Sequence, residues 1–201
     1  VAVDRRKEDI MAYPKLNLTE IAWHVLDRFL LDWQAEPFRW DREIDVQVEV
    51  ASRLSLVFRY IGTDTLVATY PNIAAKQEQR WSRVSCEPRL TYTYSDGKQY
   101  RCHPDIVIWD DIKNPSEPPD ATGERNWPML WACEIKYGQQ KPMDWDIEKL
   151  RYLMALPDGG ILHGCWLRML RTPAKSGSGI VCQRDQVDGR LWVYDVMLPA
   201  I

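Results

Sequence analysis

Two apolar runs, Arg101 to Trp109 and Met129 to Tyr137, carry charged residues where a buried strand would ordinarily have none. The first contains Ile106, Val107, Ile108 and Trp109, the β-branched and aromatic enrichment of a strand, directly after Pro104 and Asp105. The second holds Glu134-Ile135-Lys136 behind Leu130, Trp131, Ala132 and Cys133. Strand alternation puts Asp105 on the face of His103, Val107 and Trp109, and puts Glu134 and Lys136 on the face of Ala132. In an antiparallel hairpin where Trp109 opposes Leu130, the numbers of opposed residues sum to a constant, so Asp105 stands across from Glu134. Opposed Cβ atoms lie about 4.5–5.5 Å apart, and two carboxylates at that spacing repel unless a cation lies between them. A divalent metal is such a cation, because Mg²⁺ is commonly held by one or two carboxylates while keeping several waters. Lys136 projects to the same side as Glu134, within reach of a water or a phosphate oxygen.

The remaining pattern reads as alternating helices and strands. Asn17 with Glu20 forms a capping box for a helix from about Leu18 to Ala35, with Ile21, Val25, Leu26, Phe29, Leu30 and Trp33 as its apolar face. After Pro37 a second helix is predicted from about Arg42 to Tyr60, burying Ile44, Val48, Ala51, Leu54, Val57 and Phe58. The polar stretch with Pro71-Asn72 and Glu78 to Arg83 reads as irregular or part-helical. Leu90, Tyr92 and Tyr94 alternate with Thr91 and Thr93 ahead of an Asp96-Gly97 turn, which predicts three strands in meander order with the two runs above. The Asp110 to Pro128 connection is too long for a tight turn and falls at the hairpin end away from Asp105 and Glu134. A third helix follows from about Asp144 to Leu156, with Ile147, Leu150, Leu153 and Met154 as its stripe and Pro157 and Gly159-Gly160 ending it. Ile161 to Leu170 and Leu191 to Leu198 read as two further strands.

Pro104, Asp105, Glu134 and Lys136, each in this setting, match the signature of the PD-(D/E)XK nuclease superfamily. The chain resembles that superfamily over roughly Arg42 to Leu170. The resemblance implies an α/β, restriction-endonuclease-like fold: a mixed β-sheet flanked by helices, in the order α-β-β-β-α-β. Residues 1–201 would form a single domain, with 1–41 a helical amino-terminal extension, 42–170 the nuclease-like core and 171–201 a carboxy-terminal extension with a strand. The implied activity is that of a metal-dependent endonuclease hydrolysing phosphodiester bonds, in DNA by preference, through attack of a metal-activated water. Asp105, Glu134 and the Ile135 backbone carbonyl would bind Mg²⁺ or Mn²⁺. Lys136 would orient or deprotonate the water and stabilise developing charge, with a second water open as the alternative base.

Many members carry a further glutamate on the helix before the sheet. Glu49, flanked by Val48 and Val50, is the candidate here for catalysis and metal binding, whereas the helix dipole alone accounts for Glu43 in the first turn. Arg53, at i+4, would make Glu49 an ordinary surface ion pair. Asp146 and Lys149 are expected to orient Lys136, to touch a phosphate, or to form a solvated helix face. His103 reads as a second base, a ligand or a hydrogen-bonded strand histidine, at a position where family members often have arginine. Gln139 and Gln140 would contact a nucleic-acid backbone or complete a loop, and Trp145 would stack on a base or pack.

Composition limits these readings. With 201 residues, 45% hydrophobic and ten of them tryptophan, the chain can bury an ample core and is not a disordered one. No apolar run approaches about 18 residues and the first residues show no signal-peptide pattern, so the expected setting is soluble and cytoplasmic, without a membrane partner. Five cysteines, at 86, 102, 133, 165 and 182, include no Cys-x-x-Cys pair, and Cys102, Cys133 and Cys165 are expected as buried thiols in a reducing compartment. A net charge of −3 lacks the basic excess of freely acting nucleic-acid enzymes. Any positive groove would have to come from Arg5, Arg6 and Lys7, from Arg80, Arg83 and Arg89, or from Arg168, Arg171 and Lys175. Cutting both strands of a duplex would call for a homodimer or a larger complex. The acidic balance favours the alternative of a non-catalytic nuclease-like module that binds nucleic acid or a protein partner. A structural or assembly subunit would instead show an extended apolar patch.

Overall fold

The computed structural model describes residues 17–69, 78–93, 97–111, 127–138, 144–156, 160–173, 179–184 and 189–198. The elements are α1 (Leu18–Ala35), α2 (Glu43–Tyr60), β1 (Thr65–Thr69), β2 (Glu78–Ser82), β3 (Val84–Cys86), β4 (Leu90–Thr93), β5 (Gln99–Cys102), β6 (Ile106–Trp109), β7 (Met129–Tyr137), α3 (Asp144–Ala155), β8 (Ile161–Pro173), β9 (Ile180–Arg184) and β10 (Leu191–Leu198). Six strands form one mixed sheet in the order β3-β6-β7-β8-β10-β9, while β1-β2 and β4-β5 stand apart as two-stranded antiparallel pairs. Among the described residues no helix is long and apolar enough to cross a membrane.

The β6–β7 pair sets the frame. Ile106 opposes Cys133, Val107 opposes Ala132 and Ile108 opposes Trp131, so the predicted constant holds at the end of the hairpin nearest Asp105. It fails at the other end, where a register shift after Ile108 makes Trp109 oppose Met129 rather than Leu130. Such a bulge adds one residue to one strand and leaves the pairing beyond it intact. Beyond β7 the sheet turns parallel: the chain passes through α3 and returns as β8, and β10 then pairs in parallel with β8.

Helices cover both faces. Ile106, Ile108, Trp131, Cys133, Ile135, Cys165 and Leu167 face α1 and α2 in one core. Val107, Trp109, Ala132 and Trp166 face Leu150, Leu153 and Met154 of α3 in the other. Gly164 of β8 sits under the side-chain tips of Leu191 and of Met154 of α3, where a Cβ would lie 2.9 Å from Leu191 Cδ1 and 3.1 Å from Met154 Sδ. The buried free thiols are Cys102, Cys133 and Cys165, while Cys86 and Cys182 are exposed.

Several elements depart from the sequence pattern. Glu78–Ser82 is a strand paired with β1, not a partial helix. The Leu90–Thr93 strand pairs with β5 outside the main sheet, and β3 takes the first place in the β3-β6-β7 meander. The run from Arg101 to Trp109 is broken at His103–Asp105, so its two halves belong to different sheets. Helix α1 buries Ala22 and leaves Ile21 and Val25 only partly covered. Helix α2 is rotated from expectation: Val46, Gln47, Val50, Ala51, Leu54 and Phe58 face inward, whereas Ile44 and Val48 are exposed. Sequence alone offered two overlapping stripes here, because Val46-Gln47-Val48-Glu49-Val50 places valines on both sides of the helix. The expected Asp96 turn residue, residues 112–126 of the long connection, and the proline-glycine stop at 157–159 lie outside the described residues, as do Arg5, Arg6, Lys7 and Lys175.

Arg83 has a structural task in place of the surface role considered for it. Nearly buried, it donates from Nε to the Thr63 carbonyl at 2.5 Å, from Nη1 to the Trp109 carbonyl at 2.9 Å and from Nη2 to Asp111 at 2.5 Å. Three acceptors in three directions match the guanidinium fork and not an ammonium. Arg83→Ala leaves two backbone carbonyls without this donor and is expected to cost about 2–4 kcal/mol. Arg83→Lys should recover less than half of that loss. Urea unfolding of the three proteins measures both values.

Candidate functional site

The site gathers where β6 begins and β7 ends. Asp105, one residue before β6, is held by its backbone: its carbonyl accepts Gln47 Nε2 at 2.6 Å and the Glu87 N–H at 3.1 Å. Glu87 adopts φ 46°, a left-handed conformation that a glutamate rarely takes. The Asp105 carboxylate accepts the Ile135 N–H through Oδ2 at 2.5 Å, which ties it to the residue between Glu134 and Lys136. Extending the β6–β7 register one residue past Ile106 and Cys133 brings Asp105 abreast of Glu134.

Glu134, only 2% exposed, meets Lys149 of α3, whose Nζ lies 2.5 Å from Oε1. Lys149 is also 3.6 Å from Asp146 Oδ1, and the other oxygen of Asp146 is 3.6 Å from Lys136 Nζ. Lys136 reaches Glu43 of α2 at 3.8 Å. Asp105, Glu134, Asp146 and Glu43 thus surround Lys136 and Lys149, leaving an excess of two negative charges when all four acids are ionised. Burial is the main reason that the Asp105 carboxyl is pushed up to about 6, against the Ile135 N–H and the nearby lysines, which pull it down. Burial likewise pushes Glu134 up to about 7, opposed by Lys149 and reinforced by Asp105 and Asp146. Burial works to lower the Lys136 value, yet Asp146, Glu43, Asp105 and Glu134 together hold it above the ordinary one, so this side chain is an ammonium.

The rotation of α2 decides which of its carboxylates arrives. Glu43 and Gln47 lie four residues apart on the same face, and Glu43 also accepts the Tyr137 N–H at 3.4 Å. Glu49 falls on another face, where it pairs with Arg53 Nε at 2.8 Å while Nη1 of the same arginine holds Asp32. The structure therefore brings Asp105, Glu134, Lys136 and the Ile135 backbone together and does not bring Glu49 to them. Glu43 stands there instead. Gln47 carried one usable signal: a polar residue in phase with Val46, Val50 and Leu54.

Among the other candidates, Asp146 and Lys149 are nearly buried members of the charge chain, not a solvated helix face. His103 is exposed on the link between β5 and β6, with Nδ1 3.5 Å from the Glu87 carbonyl. Trp145 is 59% exposed rather than packed. Arg168 opposes Lys136 in register and pairs with Asp195 at 2.6 Å, and Arg171 pairs with Asp41 and with the Tyr137 hydroxyl, so both arginines of that basic group have internal partners. Gln139 and Gln140 lie outside the described residues. Among the described residues, no three His, Cys, Asp or Glu side chains converge as ligands on one point, so a metal at Asp105 and Glu134 would need a backbone carbonyl or waters to complete its shell. No protein-family model, curated protein or solved structure matches the chain.

The two raised carboxyls have a consequence for stability. Their ordinary values are 3.8 and 4.5, so between these and about 6 and 7 the folded protein holds protons that the unfolded chain has released. The resulting stabilisation is complete below about pH 4 and is lost as pH rises through 6 and 7. In metal-free buffer the urea midpoint should fall between pH 5 and pH 8. Asp105→Asn combined with Glu134→Gln should flatten that slope, which parallel titrations of the two proteins will measure.

Proposed function

We propose that this protein is a metal-dependent nuclease of the restriction-endonuclease-like type, hydrolysing phosphodiester bonds in DNA with Mg²⁺ or Mn²⁺. The observation that carries the reading is the Asp105 carboxylate bound to the Ile135 amide, beside a buried Glu134 and the Lys136 ammonium. The order α2-β3-β6-β7-α3-β8 supports the fold assignment, with the β1-β2 pair inserted between α2 and β3 and the β4-β5 pair between β3 and β6.

The donor set suits a hard divalent cation. Two acidic side chains from adjoining strand ends and a neighbouring carbonyl are all oxygen donors, and with the four acids ionised the local excess of two negative charges equals the charge such an ion brings. Asp105, Glu134 and the Ile135 carbonyl would hold it. When bound, the ion supplies a Lewis acid for a phosphate oxygen and lowers the pKa of a water. The chain's own groups supply the rest. Lys136, held charged, donates to phosphate oxygens and stabilises charge as it builds in the transition state. Glu43 and Asp146 flank its ammonium at 3.8 and 3.6 Å, and Gln47 with Glu87 fixes the Asp105 backbone, so the carboxylate that would hold the ion is positioned in advance. Trp145, exposed next to Asp146, offers a face on which a base can stack.

One observation favours a second reading as a partner-binding module. The outward side of α2 exposes Val48 and Leu56 beside β3, along a groove of about 410 Å³ that Ala51, Val84 and Cys86 also line.

Incubation with supercoiled, linear, single-stranded and branched DNA in Mn²⁺ separates the readings. Cleavage is expected, with Glu134→Ala and Lys136→Ala each lowering the rate by about 10²–10⁴. Cleavage that persists undiminished in both variants would remove the assigned site, and no cleavage of any substrate would leave the binding module. Glu43→Gln should slow cleavage roughly tenfold through loss of one Lys136 contact, while Glu49→Gln, which alters only the Arg53 ion pair, should stay within about threefold.

A further inference from the structure

Lys149 occupies an unusual position for a helix lysine. Its side chain is 10% exposed, and its Nζ touches an oxygen of Glu134, the most buried carboxylate of the site, at 2.5 Å. An isolated ionised carboxylate at 2% exposure is costly, and Lys149 is the cation in direct contact with this one. A second seat for the ammonium lies close by. Asp146, one helical turn earlier, presents Oδ1 at 3.6 Å, too long for a tight pair, while its other oxygen is shared with Lys136 at 3.6 Å. The lysine stem has four flexible carbons, so its ammonium can move by an ångström or two without any change in the helix.

We propose that Lys149 is a built-in counter-cation of the Asp105–Glu134 site, displaced from Glu134 onto Asp146 when a divalent metal binds. This rests on the metal-binding reading above and adds a regulation of that site. Without metal, Lys149 neutralises Glu134 and preserves the charge chain Glu43–Lys136–Asp146–Lys149–Glu134. With metal, the ammonium and the ion compete for the same oxygen of Glu134, and the ion prevails because it carries twice the charge and engages Asp105 as well. The displaced ammonium tightens onto Asp146. That carboxylate then has less to offer Lys136, which is left held by Glu43 and turned free toward an incoming phosphate. Metal uptake and readiness of Lys136 are thereby linked through one aspartate. Lys149 is a positioning residue in this scheme and touches neither substrate nor reacting atoms.

The test measures metal binding in the absence of nucleic acid. Mn²⁺ is titrated into the full chain at pH 8, with free ion followed by electron paramagnetic resonance, for the unmodified protein, Lys149→Met, Asp146→Asn and Glu134→Gln. Lys149→Met is expected to bind Mn²⁺ at least tenfold more tightly, because the ion no longer competes with an ammonium, and Asp146→Asn at least fivefold more weakly, because the displaced ammonium loses its seat. Thermal melts add a second readout: Lys149→Met should melt lower than the unmodified protein in EDTA and gain more on adding Mn²⁺, as binding to the folded state alone requires. If Lys149→Met does not fold in EDTA, folding on addition of Mn²⁺ supports the exchange and failure to fold overturns it. Equal or weaker Mn²⁺ binding by Lys149→Met, with binding still abolished in Glu134→Gln, overturns the exchange and leaves the metal site standing. Absence of Mn²⁺ binding in both the unmodified protein and Lys149→Met overturns the metal reading and the exchange together.

Discussion

A single hydrogen bond, from the Ile135 amide to the Asp105 carboxylate, organises the charged end of this sheet. It can form only because β6 and β7 run antiparallel with Ile106 opposite Cys133, and because the bulge in that pair lies at the far end, after Ile108. A one-residue slip near Asp105 would turn Glu134 and Lys136 from the α3 face to the α1–α2 face, into a core of Leu26, Phe29 and Leu54. Burial of the apolar residues therefore enforces the placement of the charged ones. The core selects the register, and the register delivers the site.

Around that bond the site is built from parts that would be unfavourable alone. Asp105 and Glu134 lose hydration by burial, and nearby carboxylates add to the cost of ionising each, Glu43 for Asp105 and Asp105 with Asp146 for Glu134. Two lysines from different elements, Lys136 on the sheet and Lys149 on α3, offset this, and Asp146 links them. Such a network holds only if all its members arrive together, since a half-completed buried network is worse than an apolar one. Arg83 solves a similar problem outside the site, using one guanidinium to close the Thr63 carbonyl in the loop after α2 and the Trp109 carbonyl at the end of β6. Charged side chains that looked like surface in the composition are thus committed to internal work. Arg168 and Arg171 likewise pair within the chain, with Asp195 and Asp41.

Secondary structure was most legible where a pattern was long and unambiguous. Helix α1 starts at the expected Asn17 cap, whose side chain accepts the Thr19 and Glu20 N–H groups, β7 and β10 match their apolar runs, and the ends of α3 and β8 differ from expectation by only a few residues. Legibility failed at strands too short or too polar to show alternation. Val84–Cys86 spans three residues, and Glu78–Ser82 and Ile180–Arg184 are mostly polar or exposed strands that an edge position or a separate hairpin tolerates. In the run from Arg101 to Trp109, local propensity was continuous while the pairing partner changed, and only the tertiary fold decides which sheet a strand joins.

What the sequence made legible by itself is the approach of Asp105 to the Glu134-Ile135-Lys136 strand: a register assumed from Trp109 opposite Leu130 holds from Ile106 to Ile108, although that anchoring pair is itself shifted by the bulge. It could not determine which residue of α2 would meet them. A helix with valines at 46, 48 and 50 has two credible inward faces, and the choice between Glu43 with Gln47 and Glu49 rests on how that cylinder turns against the sheet. Nor could it reveal that Lys149, fifteen residues after Glu134, would lie against it, since that contact depends on how α3 packs across the sheet. Side-chain direction within a strand is local and periodic, and so it is readable. The rotation and depth of a packed helix are properties of the whole core, and only the tertiary structure supplies them.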